Sequence, residues 1–290
     1  MIVLVKDNLE LSFVDNFTAK WKLIIKKKLL VLYSFDLDKI DTTISSVICK
    51  RDVTFSIQQF KKIEHIHLLS SGSDEFFRPP DWKGRLTVSN GVNSRSIAEY
   101  LLCSILIEAK NMIHYITNQR LGNWNRLWCD ELVDKKILVV GYGSIAKEFI
   151  EVARPFKLDI VIANRTIYEP NNISLGDVSR VAKEFDIVIS ALPLATNTLN
   201  FFDEKFFKEF SKGLFINVSR GALVDQAVLV KWLMDDPSNR TAVLDVFHEE
   251  PLPKENEIWY LPNVVCTPHI AGTTNNFLDN LFKILKGFYV

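Results

Sequence analysis

The residues Ile137-Leu138-Val139-Val140-Gly141-Tyr142-Gly143-Ser144-Ile145-Ala146 join a short apolar run to a G-x-G-x-x-A turn. A buried strand that runs straight into such a turn and then into a helix is the signature of a dinucleotide-binding β-turn-α unit. Each small residue has its own task. Gly141 permits the tight turn, Gly143 lets a pyrophosphate approach the backbone, and Ala146 lets the helix pack closely on the strand. The helix N-terminus then presents its free amides and positive dipole end to the phosphates. The motif alone is weak, but here an amphipathic helix follows (Ile145, Phe149, Ile150, Ala153) and a second strand begins at Ile160. Gly141, Tyr142, Gly143, Ser144 and Ile145 are therefore the first expected cofactor contacts.

The strand rhythm continues downstream. Apolar runs at 137–140, 160–163, 187–190, 214–218, 242–246 and 264–266 alternate with stretches such as 146–153, 204–210 and 226–234, which makes a doubly wound parallel sheet. Upstream, shorter strands at 2–5, 29–33, 47–48 and 63–69 alternate with polar or helix-like segments, implying a smaller α/β unit. Arg78-Pro79-Pro80-Asp81 and Lys83-Gly84-Arg85 read as turns that close it. Ser96-Ile97-Ala98-Glu99 has a capping-box pattern, and residues 100–116 then run without Gly or Pro, apolar on more than one face. Such a helix is either central to its domain or buried against a second subunit. Residues 120–134, with Gly122, Trp124 and Trp128, form an irregular connector.

Composition narrows the partners. Thirty-five Lys+Arg balance 35 Asp+Glu, so no global field draws in nucleic acid or an anionic membrane, and any anion site must be local. A hydrophobic content of 48% is too high for a disordered chain. No run reaches the roughly 18 apolar residues of a membrane span. The start, Met1-Ile2-Val3-Leu4-Val5-Lys6-Asp7, reverses the order of a signal peptide. Cys49, Cys103, Cys129 and Cys266 lack metal-ligand spacing and read as buried thiols in a reducing compartment. A cytoplasmic protein without a metal is expected.

Four strand ends carry local chemistry. The second strand of the fingerprint unit should end in Asp or Glu if an adenine ribose is held through its 2′-hydroxyl. It ends instead in Ala163-Asn164-Arg165-Thr166. A guanidinium and a hydroxyl suit a 2′-phosphate, so NADP is favoured over NAD, with use of either left open. In Asn217-Val218-Ser219-Arg220-Gly221-Ala222-Leu223-Val224-Asp225 an arginine follows a buried strand directly, a position that faces the ligand crevice and could clamp a carboxylate. Leu244-Asp245-Val246-Phe247-His248-Glu249-Glu250-Pro251 and Thr267-Pro268-His269-Ile270-Ala271-Gly272 both follow late strands. A Glu and a His brought together there could form an acid suited to neutral pH. His65, His67, His114 and His248 have no such context and are assigned no chemistry.

Taken in order, these residues closely resemble the D-isomer-specific 2-hydroxyacid dehydrogenases, the group that includes glycerate, phosphoglycerate and D-lactate dehydrogenases and glyoxylate/hydroxypyruvate reductases. The resemblance spans about residues 63–275, through NSRSIAEYL (93–101), VVGYGSIA (139–146), ALPLATNT (191–198), NVSRGALVD (217–225), DVFHEEPLP (245–253) and TPHIAG (267–272). It implies an α/β fold, with a Rossmann-type doubly wound sheet (91–272) that binds NAD(P) and a smaller flavodoxin-like substrate domain (1–90 plus 273–290). The tail would return to that first domain. Because residues 1–62 match only in rhythm and the chain ends soon after Gly272, a compact substrate domain built from fewer elements is expected.

The resemblance also implies roles. His269 would give a proton to the 2-keto oxygen, Glu250 would hold His269 in its competent state, and Arg220 would bind the carboxylate and polarise the carbonyl. Between Glu249 and Glu250 the family pattern selects the residue before Pro251. Asp245 would hold the nicotinamide carboxamide, and Leu192, Pro193, Thr198, Val218, Ser219, His269 and Gly272 would complete the cofactor contacts. Ser71, Gly72 and Ser73 would grip the substrate carboxylate through backbone amides, across a cleft that closes on the cofactor. The implied reaction is reduction of a small 2-keto acid such as glyoxylate or hydroxypyruvate. Phosphoglycerate- or D-lactate-type activity is an alternative, and a dinucleotide-sensing protein like the family's corepressors is a non-enzymatic one. The formate dehydrogenase branch carries an amide beside its histidine, which Glu250 argues against. A homodimer through the cofactor domain, with residues 100–116 at the interface, is the expected assembly.

Overall fold

The computed structural model describes every residue except 41, 75 and 167–171. The chain divides into two compact units, Met1–Asn93 with Thr274–Val290, and Ser94–Thr273.

In the first unit the strands are β1 (Ile2–Val5), β2 (Leu29–Leu32), β3 (Ser46–Cys49), β4 (His65–Leu68) and β5 (Arg85–Val88). They pair in parallel in the order β2-β1-β3-β4-β5, which is the flavodoxin order. Helices α1 (Leu11–Ile24) and α2 (Ile57–Lys62) follow β1 and β3. Successive residues of a strand face opposite ways, so Val3 and Val5 join one apolar cluster, with Phe60 of α2, while Leu4 joins the other, with Phe17 and Trp21 of α1. Leu281, Phe282, Leu285 and Tyr289 of the final helix, Phe277–Tyr289, complete that second cluster.

The turn reading of Lys83-Gly84-Arg85 hid β5, an edge strand whose Arg85 and Thr87 make its sequence look like a loop; polar residues are tolerated where one side of a strand is unpaired. With β5 present, the unit holds the full five strands of its fold type and is not a reduced version.

The second unit opens with α3 (Ser94–Ala109) and α4 (Met112–Leu121). The helix expected to run through residue 116 is broken at Asn111, which adopts left-handed dihedrals (φ 51°, ψ 35°). Asparagine tolerates that conformation, and its side-chain amide donates to the Trp128 carbonyl at 2.9 Å, tying the break to the connector. α3 is buried along one face only (Ser94, Ala98, Leu101, Ser104, Ile105), and α4 buries no residue. Cys103, on the open face of α3, is therefore exposed, as is Cys129 in the connector; Cys49 is buried and Cys266 half-buried. The reading of four buried thiols holds fully only for Cys49.

The sheet that follows contains β6 (Lys136–Val140), β7 (Asp159–Asn164), β8 (Ile173–Ser174), β9 (Ile187–Ser190), β10 (Gly213–Asn217), β11 (Arg240–Leu244) and β12 (Val264–Cys266). All pairs are parallel, in the order β12-β11-β10-β9-β6-β7-β8. Between them run α5 (Ser144–Ala153), α6 (Val178–Val181), α7 (Glu204–Glu209) and α8 (Gln226–Asp235), and Phe277–Tyr289 is α9. Ile137 and Val139 face α3 and α5, while Leu138 and Val140 face a cluster that includes Phe206 and Phe207 of α7 and Trp232 of α8. Burial on both faces is why β6 reads as an unbroken apolar run. The strand order reverses between β6 and β9, which opens a ligand crevice at the carboxyl ends of the strands.

Candidate active site

The fingerprint turn lies at that reversal. Gly141 has φ +115°, and a Cβ there would lie 2.4 Å from the Ala191 carbonyl oxygen after β9, so both backbone and space demand glycine. Gly143 is the N-cap of α5 and offers no side-chain cap to its first amides. A Cβ on Gly143 would meet nothing within 4 Å. Open volume ahead of a helix N-terminus is what an anionic pyrophosphate requires, so these residues fit the dinucleotide. Tyr142 is exposed, with the Lys147 ammonium 5.3 Å from its ring centroid.

At the end of β7, Asn164 is half-buried, and the following Arg165 and Thr166 are exposed. Arg165 Nη2 reaches Asn197 Oδ1 at 3.5 Å, linking this turn to the loop after β9. In that loop Leu192 is buried and Pro193 exposed. The Thr198 hydroxyl is turned inward, donating to the Pro193 carbonyl at 2.9 Å and accepting the Ala195 amide at 2.8 Å. Thr198 thus shapes the loop, and its hydroxyl is not presented as a contact. Val218 and Ser219 are likewise buried, with the Ser219 hydroxyl donating to the Ser190 carbonyl at 2.9 Å.

β10, β11 and β12 are neighbours, so the residues following them gather at one end of the sheet. Arg220 Nη1 donates to the Ser219 carbonyl at 2.7 Å, which orients the guanidinium. Gly221 presses against the loop after β11: a Cβ there would be 1.9 Å from the Phe247 carbonyl carbon and 2.3 Å from the His248 nitrogen. Only glycine allows the Arg220 turn and the 247–250 loop to lie this close. Glu250 Oε1 accepts the Phe247 amide at 2.9 Å, and Oε2 lies 2.7 Å from His269 Nδ1. The pair is part-exposed, with 42% of the His269 side chain and 37% of that of Glu250 accessible, so the ring is both held and reachable. His269 itself has φ +55°, a left-handed conformation costing roughly 1–2 kcal/mol for a residue with a Cβ.

Bonds around the 267–273 segment offset that cost. The buried Asp245 carboxylate accepts the Ile270 and Ala271 amides at 2.8 Å each and the Thr267 hydroxyl at 2.5 Å, while its backbone carbonyl accepts the His269 amide at 2.9 Å. Two residues of α3 reach the same segment: the Tyr100 hydroxyl lies 2.7 Å from Thr267 Oγ1, and Ser96 Oγ donates to the Ala271 and Thr273 carbonyls at 3.0 and 3.1 Å. Burial pushes the Tyr100 hydroxyl up to about 12, so it keeps its proton. Ser96 is therefore not a helix cap; α3 starts at Ser94. Sequence reading missed Ser96, Tyr100 and Thr267 as parts of the site. Gly272 lies in the turn closed by the Thr273 amide on the Ile270 carbonyl at 2.8 Å.

In the first unit Ser71, Gly72 and Ser73 follow β4, with Ser71 and Ser73 exposed. Ser70 Oγ donates to the Gly72 carbonyl at 2.7 Å, and the Ser89 amide donates to the Ser70 carbonyl at 2.9 Å, fixing the loop to the end of β5. His65 and His67, given no chemistry, share the Thr87 hydroxyl at 2.7 and 2.8 Å; His67 also meets Ser89 Oγ at 3.0 Å. Burial pushes His67 down to about 4 and lowers His65, and the charge of Arg85 adds to the effect on His65. His114 bonds to Asn118, and His248 is exposed. Among the described residues no group of three metal-ligating side chains is found, and no helix is long and apolar enough to cross a membrane.

Residues 102–271 match the family model of the D-isomer specific 2-hydroxyacid dehydrogenase NAD binding domain. A mitochondrial formate dehydrogenase of Solanum tuberosum is 30% identical over 262 residues, 78% of this chain, and glyoxylate/hydroxypyruvate reductase B of Escherichia fergusonii is 30% identical over 215 residues, 68% of it. The match spans 66% of each relative's length, just under two thirds. The solved structure of a D-isomer specific 2-hydroxyacid dehydrogenase from Xanthobacter autotrophicus in complex with NADPH and MES superposes with a TM-score of 0.83, covering 99% of this chain and 94% of that one. At 20% identity that likeness is one of fold. With the family model matched over more than half of its length, the chain belongs to the D-isomer specific 2-hydroxyacid dehydrogenase family.

Proposed function

We propose that the chain is an NAD(P)H-dependent reductase of small 2-keto acids, oxidising the D-2-hydroxy acid in reverse, with glyoxylate or hydroxypyruvate as substrate and NADPH as the favoured cofactor. The observation that carries this reading is the His269–Glu250 pair at 2.7 Å, placed with Arg220 at the ends of three adjacent strands. When bound, the nicotinamide supplies the hydride taken up by the carbonyl carbon. His269 holds the accompanying proton: with Nδ1 facing Glu250, Nε2 is the atom left to deliver it to the keto oxygen. Glu250, anchored by the Phe247 amide, orients the ring. Arg220 holds the substrate carboxylate and polarises the carbonyl beside it. Gly141, Gly143 and the first turn of α5 take the pyrophosphate. Asn164, Arg165 and Thr166 take the 2′-phosphate, supported by the exposure of Arg165 and Thr166.

One of the relatives is a formate dehydrogenase. Formate gives up a hydride without any proton transfer to oxygen, so such a site needs no acid, whereas a carboxylate-backed histidine is what a ketone reduction uses. The first unit, with the loop Ser71 to Ser73, is assigned to the substrate carboxylate, and residues 94–273 to the cofactor. A homodimer through the open face of α3 and the connector accounts for Trp124 and Trp128, which are 95% and 100% exposed in the single chain; light scattering should give twice 33.3 kDa, and a monomer would refute it.

The function is tested by mixing the purified protein with NADPH or NADH and glyoxylate, hydroxypyruvate, pyruvate or phosphohydroxypyruvate. Oxidation of NADPH with one of the first two is expected. Inertness towards all four with both cofactors would leave a dinucleotide-binding protein without this activity.

A further inference from the structure

The segment from Thr267 to Gly272 carries His269 in a left-handed backbone conformation, and its anchors come from neighbouring elements. One of them has a direction that the chemistry fixes. The Thr267 hydroxyl has a single hydrogen, and Asp245 Oδ1, 2.5 Å away, accepts and cannot donate, so that hydrogen goes to the carboxylate. Tyr100, whose hydroxyl lies 2.7 Å from the same Thr267 oxygen, must then be a donor. The result is a chain from the Tyr100 O–H to Thr267 and from the Thr267 O–H to Asp245, ending on a charge. In this arrangement successive hydrogen bonds strengthen one another.

Ser96 lies one turn before Tyr100 on the same face of α3 and holds the far end of the segment through the Ala271 and Thr273 carbonyls. The helix is itself fixed, because Ala98, Leu101 and Ile105 are packed into the cluster beneath the sheet. α3 therefore grips both ends of the loop that bears the histidine. The titratable groups around the Tyr100 hydroxyl are Asp245 and Cys103, and that facing the His269 ring is Glu250.

We propose that Tyr100 is a positioning residue for His269, acting through the Thr267 hydroxyl and the Asp245 carboxylate; the inference rests on His269 being the acid of the proposed reaction. Tyr100 touches Thr267 and no group assigned to the reaction. Without its hydroxyl, Thr267 loses the partner that fixes its rotamer, Asp245 loses the reinforcement of its bond, and the loop amides held by the same carboxylate are held less firmly. Substrate binding through Arg220 does not pass through this chain, whereas Asp245, at its end, is also the residue given to the nicotinamide carboxamide. The effect should thus fall on turnover and spare the KM for the keto acid.

The test uses the full-length protein as Tyr100→Phe, Thr267→Val, Thr267→Ser and the Tyr100→Phe/Thr267→Val double variant. Two quantities are measured: kcat and KM with NADPH and the best keto acid, and hydrogen exchange at the Ile270 and Ala271 amides, which needs no turnover. Tyr100→Phe should lower kcat about tenfold, as a small misplacement of a reacting group does, with the KM for the keto acid within about twofold. Exchange at the two amides should quicken by a similar factor. Thr267→Ser, which keeps the hydroxyl, should behave as wild type, and the double variant should be no worse than Thr267→Val alone. Unchanged exchange in Tyr100→Phe, or additive losses in the double variant, overturns the proposal. If the wild type reduces no keto acid, the proposed function fails, and the exchange measurement still decides whether Tyr100 anchors the loop.

Discussion

Glu250 and His269 are joined at 2.7 Å through Oε2 and Nδ1, while the second oxygen of the same carboxylate accepts the Phe247 amide at 2.9 Å. One side chain therefore ties the loop after β11 to the ring after β12. Reduction of a ketone needs a proton delivered from the ring, so Nδ1 must be held towards Glu250 and Nε2 kept for the substrate. In Glu250→Gln kcat/KM should drop by about 10- to 100-fold. An unchanged kcat/KM would show that Glu250 does not serve the ring.

Cofactor choice is assigned to Arg165, exposed after β7 with Asn197 as its neighbour. Arg165→Asp removes a phosphate partner and adds a repelling charge. The KM for NADPH should rise by about 10- to 100-fold, the worth of a charge-assisted hydrogen bond, with that for NADH little changed. Equal effects on the two cofactors would place the 2′-phosphate elsewhere.

Gly221 touches the backbone of Phe247 and His248 so closely that a methyl group has no room. Gly221→Ala should push the Arg220 turn away from the 247–250 loop, lowering stability by about 1–3 kcal/mol and kcat/KM by more than stability alone explains. Thermal melting and steady-state kinetics on the same preparation separate the two effects. A variant with wild-type kinetics would mean that the contact does not position the arginine.

His67 makes the first unit sensitive to acid. Folded, its ring is neutral, buried and pushed down to about 4 from an ordinary 6.5; unfolded, it takes up a proton readily. Its contribution is complete above pH 6.5 and is lost as pH falls toward about 4, amounting to about 3 kcal/mol. Urea unfolding of wild type and His67→Gln between pH 7 and pH 4 should show the gap between them closing as acid is added. A constant gap across that range would rule out His67 as the source.

The parts of the molecule that could be read from the sequence are those where chemistry is tied to a local turn. Gly141 and Gly143, Arg220, Glu250 and His269 each follow an apolar strand within a few residues, and parallel strand ends converge by topology alone. The edge strand β5 was hidden by a turn-like start, and the break at Asn111 by an otherwise continuous apolar run. Ser96 looked like a cap because its neighbours fit the pattern, yet its hydroxyl serves a loop 175 residues away. The bond between Tyr100 and Thr267 spans 167 residues and leaves no periodic trace in either segment. Side-chain bonding between distant elements is set by packing, which hydrophobic period does not encode.

His269 is assigned as the proton donor, an assignment on which the proposed reaction depends. Its most direct test compares wild type with His269→Gln, measuring kcat for NADPH oxidation with the best keto acid and NADPH affinity by fluorescence in the same samples. In His269→Gln kcat should fall by about 100- to 10,000-fold while NADPH still binds within a few-fold of wild type. A His269→Gln enzyme that turns over at near wild-type rate would contradict that assignment.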